Sequence, residues 1–79
     1  MAIKVEILHP EWSRTFEADA VWLPGSLGEF EVLHSHAPII STLTAGRLKW
    51  RTGNVADGLD INGGVVRLVR DNMQICVEK

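Results

Sequence analysis

Apolar residues recur at every second position along nearly the whole chain, a period that strands satisfy and amphipathic helices do not. Ile3, Val5 and Ile7 alternate with Lys4 and Glu6, and Phe30 and Val32 interleave with Glu29 and Glu31. Leu48 and Trp50 alternate with Arg47, Lys49 and Arg51, while Met73, Ile75 and Val77 alternate with Gln74, Cys76 and Glu78. Val21 and Leu23 share a face by the same rule. Successive side chains of a strand point to opposite sides, so each segment offers one apolar face and one wet face. No stretch sustains a 3.6-residue period.

Turn residues punctuate these segments at short intervals: His9-Pro10, Pro24-Gly25, His34 to Pro38, Ala45-Gly46, Gly53-Asn54, Asp57-Gly58, Asn62-Gly63-Gly64 and Asp71-Asn72. Gly, Asn and Asp supply the positive-φ positions that tight hairpins require. The spacing predicts an all-β fold, an antiparallel β-sandwich of about ten short strands in two packed sheets, closed as a flattened barrel. The chain has no linker, repeat or low-complexity tract, and its 79 residues read as one domain, residues 1–79.

Charge and composition narrow the function. The net charge is −2, and the only basic groupings are Arg67 with Arg70 and the Arg47, Lys49, Arg51 set. That balance argues against nucleic acid and against direct membrane insertion, which need a concentrated basic patch or an apolar run of about 18 residues. The opening MAIKVEILH intersperses charges where a signal peptide carries its apolar core. The expectation is a soluble, cytoplasmic domain. Cys76 is alone and cannot form an internal disulfide; it is assigned a buried strand position, where a thiol acts as a small hydrophobe.

Sites of chemistry are few. His34 and His36, two apart, with His9 as a third ligand, form the one candidate metal set, but the strand is expected to break at Ser35 and no carboxylate stands at a familiar ligand spacing. No serine lies in a nucleophile-elbow pattern, and Gly25-Ser26-Leu27-Gly28 is too short for a phosphate loop and lacks its Lys-Ser/Thr ending. The reading is therefore no catalytic residue, no metal and no cofactor. A generic sandwich binding a glycan or peptide through its tryptophans is the alternative, with a small histidine-based metal protein behind it.

The segment from Leu23 to Pro38, LPGSLGEFEVLHSHAP, is built differently from an ordinary corner. Pro24 cannot donate to a ladder, so the strand ending at Leu23 is expected to stop there or sit at an edge. Gly25 and Gly28 let the chain reverse, Glu29 to Leu33 run as a strand, and Pro38 holds Ala37 extended so that His36 stands on a stiff stalk. A preordered loop loses little entropy on binding and suits a protein interface.

This segment resembles the β-sandwich domain of the epsilon subunit of F-type ATP synthases. Leu23, Pro24, Gly25, Gly28, Glu29, Phe30, Val32, Leu33, His36, Ala37 and Pro38 match that family's pattern, with Ala45-Gly46-Arg47-Leu48 and Ile61 to Val65 similar to two later stretches. The resemblance runs from about Val5 to Val77. It departs at Glu31, where a glycine is usual, at His34-Ser35 in place of Pro-Gly, and at Ala45 in place of Pro.

The resemblance implies a non-catalytic central-stalk (rotor) subunit of a proton-translocating ATP synthase, coupling ion flow to ATP synthesis. It implies two partners. Gly28, Glu29 and Glu31 would face the c-subunit ring, and His36, Ala37, Pro38 and Ile39 would lie against the gamma subunit. Phe30 is assigned to the core. The location implied is the cytoplasmic face of the bacterial inner membrane, peripheral through the complex. The C-terminal helical hairpin of many family members is expected to be absent from the chain. Trp12, Trp22, Ile39 and Ile40 exceed what so small a core holds, so some of them are expected to form an exposed patch that gamma covers.

Overall fold

Nine strands form among residues 2–78, the part of the chain described by the computed structural model. They are β1 (Ile3–His9), β2 (Trp12–Ala18), β3 (Ala20–Gly25), β4 (Gly28–Leu33), β5 (Ile39–Leu43), β6 (Gly46–Thr52), β7 (Val55–Ile61), β8 (Gly63–Val69) and β9 (Asn72–Glu78). The count is close to the expected number. The main surprise is Asp57-Gly58, which lies inside β7 rather than in a turn. Gly58 pairs with Lys49 across a hairpin whose reversal is made by Gly53-Asn54 alone.

The strands hydrogen-bond in the order β2-β1-β9-β8-β5-β3-β6-β7, with β4 on the other side of β3. Two layers are therefore joined in one curled sheet. The first layer is β2-β1-β9-β8-β5 and the second is β4-β3-β6-β7. The link between them is a single residue pair, Gly25 opposite Leu43. A Cβ on Gly25 would sit 2.8 Å from the Phe30 ring and 2.9 Å from the Gly28 carbonyl, so the corner closes only around glycine.

One pairing departs from the antiparallel expectation. β1 and β9 run parallel, with Lys4 opposite Asn72 through Leu8 opposite Cys76. Parallel neighbours need a long crossover, and here almost the whole chain serves as that crossover, bringing both terminal strands into the centre of the first layer.

Alternation decides the core. Ile3, Val5 and Ile7 of β1, Val66 and Leu68 of β8, and Ile75 of β9 have no measurable exposure. They meet Val21, Leu23, Val32 and Leu48 of the second layer, with Trp50 closing one end. No polar or charged side chain is buried among the described residues. Phe30 is only half-buried, packing against the core from its rim rather than within it.

Pro24 does not end β3. The strand continues to Gly25, with Pro24 opposite Glu29. The Pro24 carbonyl accepts the Thr44 N–H at 2.8 Å, so its nitrogen points to the same side, beyond the last β3–β6 pair at Trp22 and Lys49. The missing donor falls where the ladder has already ended, which is why proline is tolerated there.

Cys76 is exposed, against expectation. It shares parity with Gln74 and Glu78, and β9 turns Met73, Ile75 and Val77 inward instead. The register is fixed by those three side chains, and the thiol follows them outward.

Gly64 tests the packing between β8 and β9. A Cβ there would collide with the Cys76 backbone carbonyl, whereas one on Gly53 meets nothing within 4 Å despite a φ of 60°. Gly64→Ala is expected to destabilise by about 1–3 kcal/mol through forced backbone displacement. Gly53→Ala should cost about 1–2 kcal/mol from the left-handed backbone alone. Urea denaturation of both variants checks the order, Gly64→Ala being the less stable.

Candidate docking surfaces

The two residue groups singled out from the sequence lie at opposite ends of β4. Gly28 and Glu29 open the strand at the Ser26-Leu27 turn with Glu31 two residues further along, and the His34–Pro38 loop follows its last residue. Five residue steps of strand separate Gly28 from Leu33, about 17 Å.

The first end is a blunt tip. Ser26 and Thr42 hydroxyls lie 2.9 Å apart and tie the turn to β5. Leu27 at its apex is fully exposed, and Gly28 has a φ of 124°. A groove of about 560 Å³ runs between this tip and Ile40, Ser41 and Thr42, with Phe30 in its wall. Glu29 is already engaged, its carboxylate 3.0 Å from the Lys49 ammonium.

The second end is a built loop. Ser35 takes a φ of 62°, and its N–H donates to the Asp71 carboxylate at 2.6 Å. Asp71, itself at a φ of 61°, accepts the Lys4 N–H on its carbonyl at 2.8 Å. The loop is thus pinned to the β8–β9 turn and to the start of β1. His36 turns Nδ1 to the Ala37 carbonyl at 2.8 Å, and His34, His36, Ala37 and Pro38 are all exposed. Ile39 opens β5 opposite Leu68 and packs against the core.

His9 is elsewhere, stacked on Trp12 with ring centroids 5.1 Å apart and accepting the Glu11 N–H. Among the described residues no group of three or more His, Cys, Asp or Glu side chains is placed to hold a metal ion. The histidine-based metal reading finds no site.

The expected patch of Trp12, Trp22, Ile39 and Ile40 takes another form. Trp12 and Ile39 pack partly against the core, Trp22 lies on the second layer, and only Ile40, at 79% exposure, is freely presented. The first layer carries a different apolar feature. Thr42, Val65, Cys76 and Leu8 face one another in register across β5, β8, β9 and β1. Ile40 flanks this row on β5, opposite Arg67. The alternation of β8 and β9 already placed Val65 and Cys76 outward; the sequence reading missed the row because it takes a register to align it.

The outer face of the second layer is polar by contrast. All three outward cations of β6 are paired: Arg47 with Asp60 at 3.0 Å, Lys49 with Glu29 at 3.0 Å, and Arg51 with Asp19 at 3.7 Å. At the open side of the barrel, Arg14 of β2 lies 5.4 Å from the Phe16 ring centre and 5.1 Å from that of Trp50, with Asp57 of β7 at 3.4 Å. The Gly58 N–H bonded to its carboxylate at 2.8 Å, helped by Arg14, lowers the Asp57 pKa below its ordinary value.

Residues 2–79 match the family model described as the ATP synthase delta/epsilon chain beta-sandwich domain. The chain belongs to that family. It is 35% identical over 77 residues to the ATP synthase epsilon chain 1 of Syntrophotalea carbinolica, covering 96% of this chain and 56% of that protein. It is 37% identical over 78 residues to an ATP synthase epsilon chain of Francisella tularensis subsp. holarctica, covering 96% and 53%. The chain thus spans about half the length of the curated relatives it matches. Among solved structures, a chain of the Euglena gracilis mitochondrial ATP synthase superposes with a TM-score of 0.89 at 22% identity, over 99% of this chain and 51% of that one. A chain of the Tetrahymena thermophila central stalk/c-ring structure gives 0.81 at 18% identity, over 96% and 63%. These two likenesses establish a shared fold.

Within this epsilon-type sandwich the Gly58 N–H bond to the Asp57 carboxylate, with Arg14 beside it, sets an acid dependence. A carboxyl whose folded pKa is depressed adds stability that is present above its unfolded value, 3.8, and disappears as pH falls through the folded value. Asp57→Asn is therefore expected to be less stable than the parent at pH 7 and equal to it in strong acid. Urea midpoints of the two proteins across that range check the convergence.

Proposed function

We propose that the chain is a non-catalytic rotor element of an ATP synthase, docking on the gamma subunit and on the ring of c subunits and turning with both. The supporting observation is the pairing of family membership with two separate, preordered surfaces on one rigid sandwich. A coupling element has to touch two bodies at once without bending, and a close-packed apolar core gives it that stiffness.

In this reading the tip at Gly28, with Glu29 and Glu31, meets the c ring, and Glu29 comes to that contact already neutralised by Lys49. The loop of His36, Ala37 and Pro38, with Ile39 behind it, meets gamma. The row of Thr42, Val65, Cys76 and Leu8 gives gamma an apolar area to cover, and Ile40 extends it. Desolvated apolar contacts hold such a complex, while rim charges set its register and association rate. The proposed location follows from the assembly: peripheral, at the cytoplasmic face of the bacterial inner membrane. Among the described residues no helix is long and apolar enough to cross a membrane.

Two substitutions separate the surfaces. Val65→Glu is expected to lose co-purification with gamma, and Glu29→Lys to weaken retention of the c ring, each with the fold intact by circular dichroism. Val65 is 45% exposed and Glu29 lies on an outer face, so neither disturbs the core. Unchanged co-purification and coupled ATP synthesis in both variants would overturn the assignment.

A further inference from the structure

Arg14, Arg47, Lys49 and Arg51 each end in an ion pair with an acid of this chain. Lys4, Arg67 and Arg70 do not: all three are exposed, and no acid among the described residues pairs with them. They are not scattered. Arg67 and Val69 of β8 stand opposite Gln74 and Asn72 of β9, and Lys4 of β1 stands opposite Asn72 from the other side. Arg70 opens the two-residue turn between β8 and β9.

A hollow of about 230 Å³ lies at this corner, lined by Arg67, Val69, Arg70, Asn72 and Gln74. Asn72 and Gln74 also line a neighbouring hollow of about 330 Å³ that reaches Lys4 and Glu6. The carboxylates closest in the fold are engaged with neutral groups. Asp71 accepts the Ser35 N–H at 2.6 Å, and Glu6 accepts the Gln74 side-chain amide at 3.3 Å. Glu17 faces Lys4 on β2 without pairing to it.

Arg70 occupies a position that costs the fold stability. Its φ is 52°, a left-handed conformation that Gly and Asn accept more readily than a long side chain. Tight turns of this kind favour Asn and Gly at that position. The side chain adds nothing to the core.

The two arginines also lie between features already assigned to one partner. On the outer face of the first layer, Arg67 is opposite Ile40 and two residues from Val65 of the apolar row. Beyond the hollow, Asp71 of the same turn pins the His34–Pro38 loop. A partner that covers both the row and the loop passes over the hollow. Taking unpaired guanidinium groups out of water is costly unless that partner brings opposite charge.

We propose that Arg67 and Arg70 form a clamp for a carboxylate, and that the gamma subunit fills it with an Asp or Glu side chain. A planar guanidinium donates two parallel N–H bonds to one carboxylate, which fixes geometry as well as charge. The clamp rests on the rotor reading and supplies the chemistry of its gamma contact.

The test is calorimetric titration of the chain with the gamma subunit of the same ATP synthase, at low and high salt. Arg67→Gln and Arg70→Asn are each expected to weaken binding about two- to fivefold, as losing one exposed ion pair does, and to flatten the salt dependence. Asn accepts the left-handed turn, so the urea midpoint of Arg70→Asn should hold or rise while its affinity falls. Parent binding that both variants match in affinity and salt dependence overturns the clamp and leaves the rotor reading standing. Weaker binding accompanied by a lowered urea midpoint in both variants assigns the arginines to the fold and likewise overturns the clamp. No binding by the parent chain overturns both.

Discussion

Everything in this fold depends on one constraint: two layers must bury their inner faces against each other, with no polar side chain buried among the described residues to specify how. Hydrophobic burial has no direction of its own. Specificity comes from register, since a slip of one residue would exchange every buried side chain for its exposed neighbour. The parallel β1–β9 contact locks that register at the centre of the first layer, because it fixes the two ends of the chain against each other. Once Ile3, Val5 and Ile7 are set beside Met73, Ile75 and Val77, every intervening strand has a defined distance to travel.

The remaining difficulty is the edges, which any open sheet must protect. The β2 edge approaches the end of β6, its turn and β7, and is bound there by side chains and one backbone hydrogen bond instead of a ladder. Arg14 spans to Asp57, the Thr52 hydroxyl donates to the Glu17 carbonyl at 2.7 Å, and the Asp19 carboxylate accepts the Gly53 N–H at 2.7 Å. Each contact is exposed and contributes little alone. Together they occupy polar groups that would otherwise invite another strand. The same economy governs the outer face of the second layer, where β6 alternates apolar core residues with cations that each find an acid on a neighbouring segment.

The strands and the inner faces were legible in the sequence because alternation is a local property. Ile3, Val5 and Ile7 are buried as their spacing required, and Ser35 breaks the strand where expected. What the sequence concealed is non-local. The parallel contact of β1 and β9 pairs residues about as far apart as the chain allows, and no local pattern records it. Cys76 was misassigned because residue type was weighed above parity, although Gln74 and Glu78 on either side already set its face. Asp57-Gly58 has turn composition and strand geometry: β7 pairs in register through it, and the Asp57 carboxylate caps the Gly58 N–H within the strand. The two docking groups were identified by residue, but their separation along β4 and the apolar row beside Ile40 required the folded register.

The His34–Pro38 loop shows how a small sandwich prepares a contact in advance. A free loop of this length would lose about 1–2 kcal/mol per residue of backbone freedom on docking. Here Pro38 restricts Ala37, and Asp71 holds the Ser35 N–H while its own carbonyl engages Lys4. Most of that ordering is completed when the domain folds, drawn from the hydrophobic burial that stabilises β1, β8 and β9. The link has a direction: anything that loosens the β8–β9 turn also frees the loop, although the loop makes no contribution to the core. Stability of the first layer and readiness of the loop are thus coupled through Asp71, and by reciprocity a partner that grips the loop also favours the ordered β8–β9 turn.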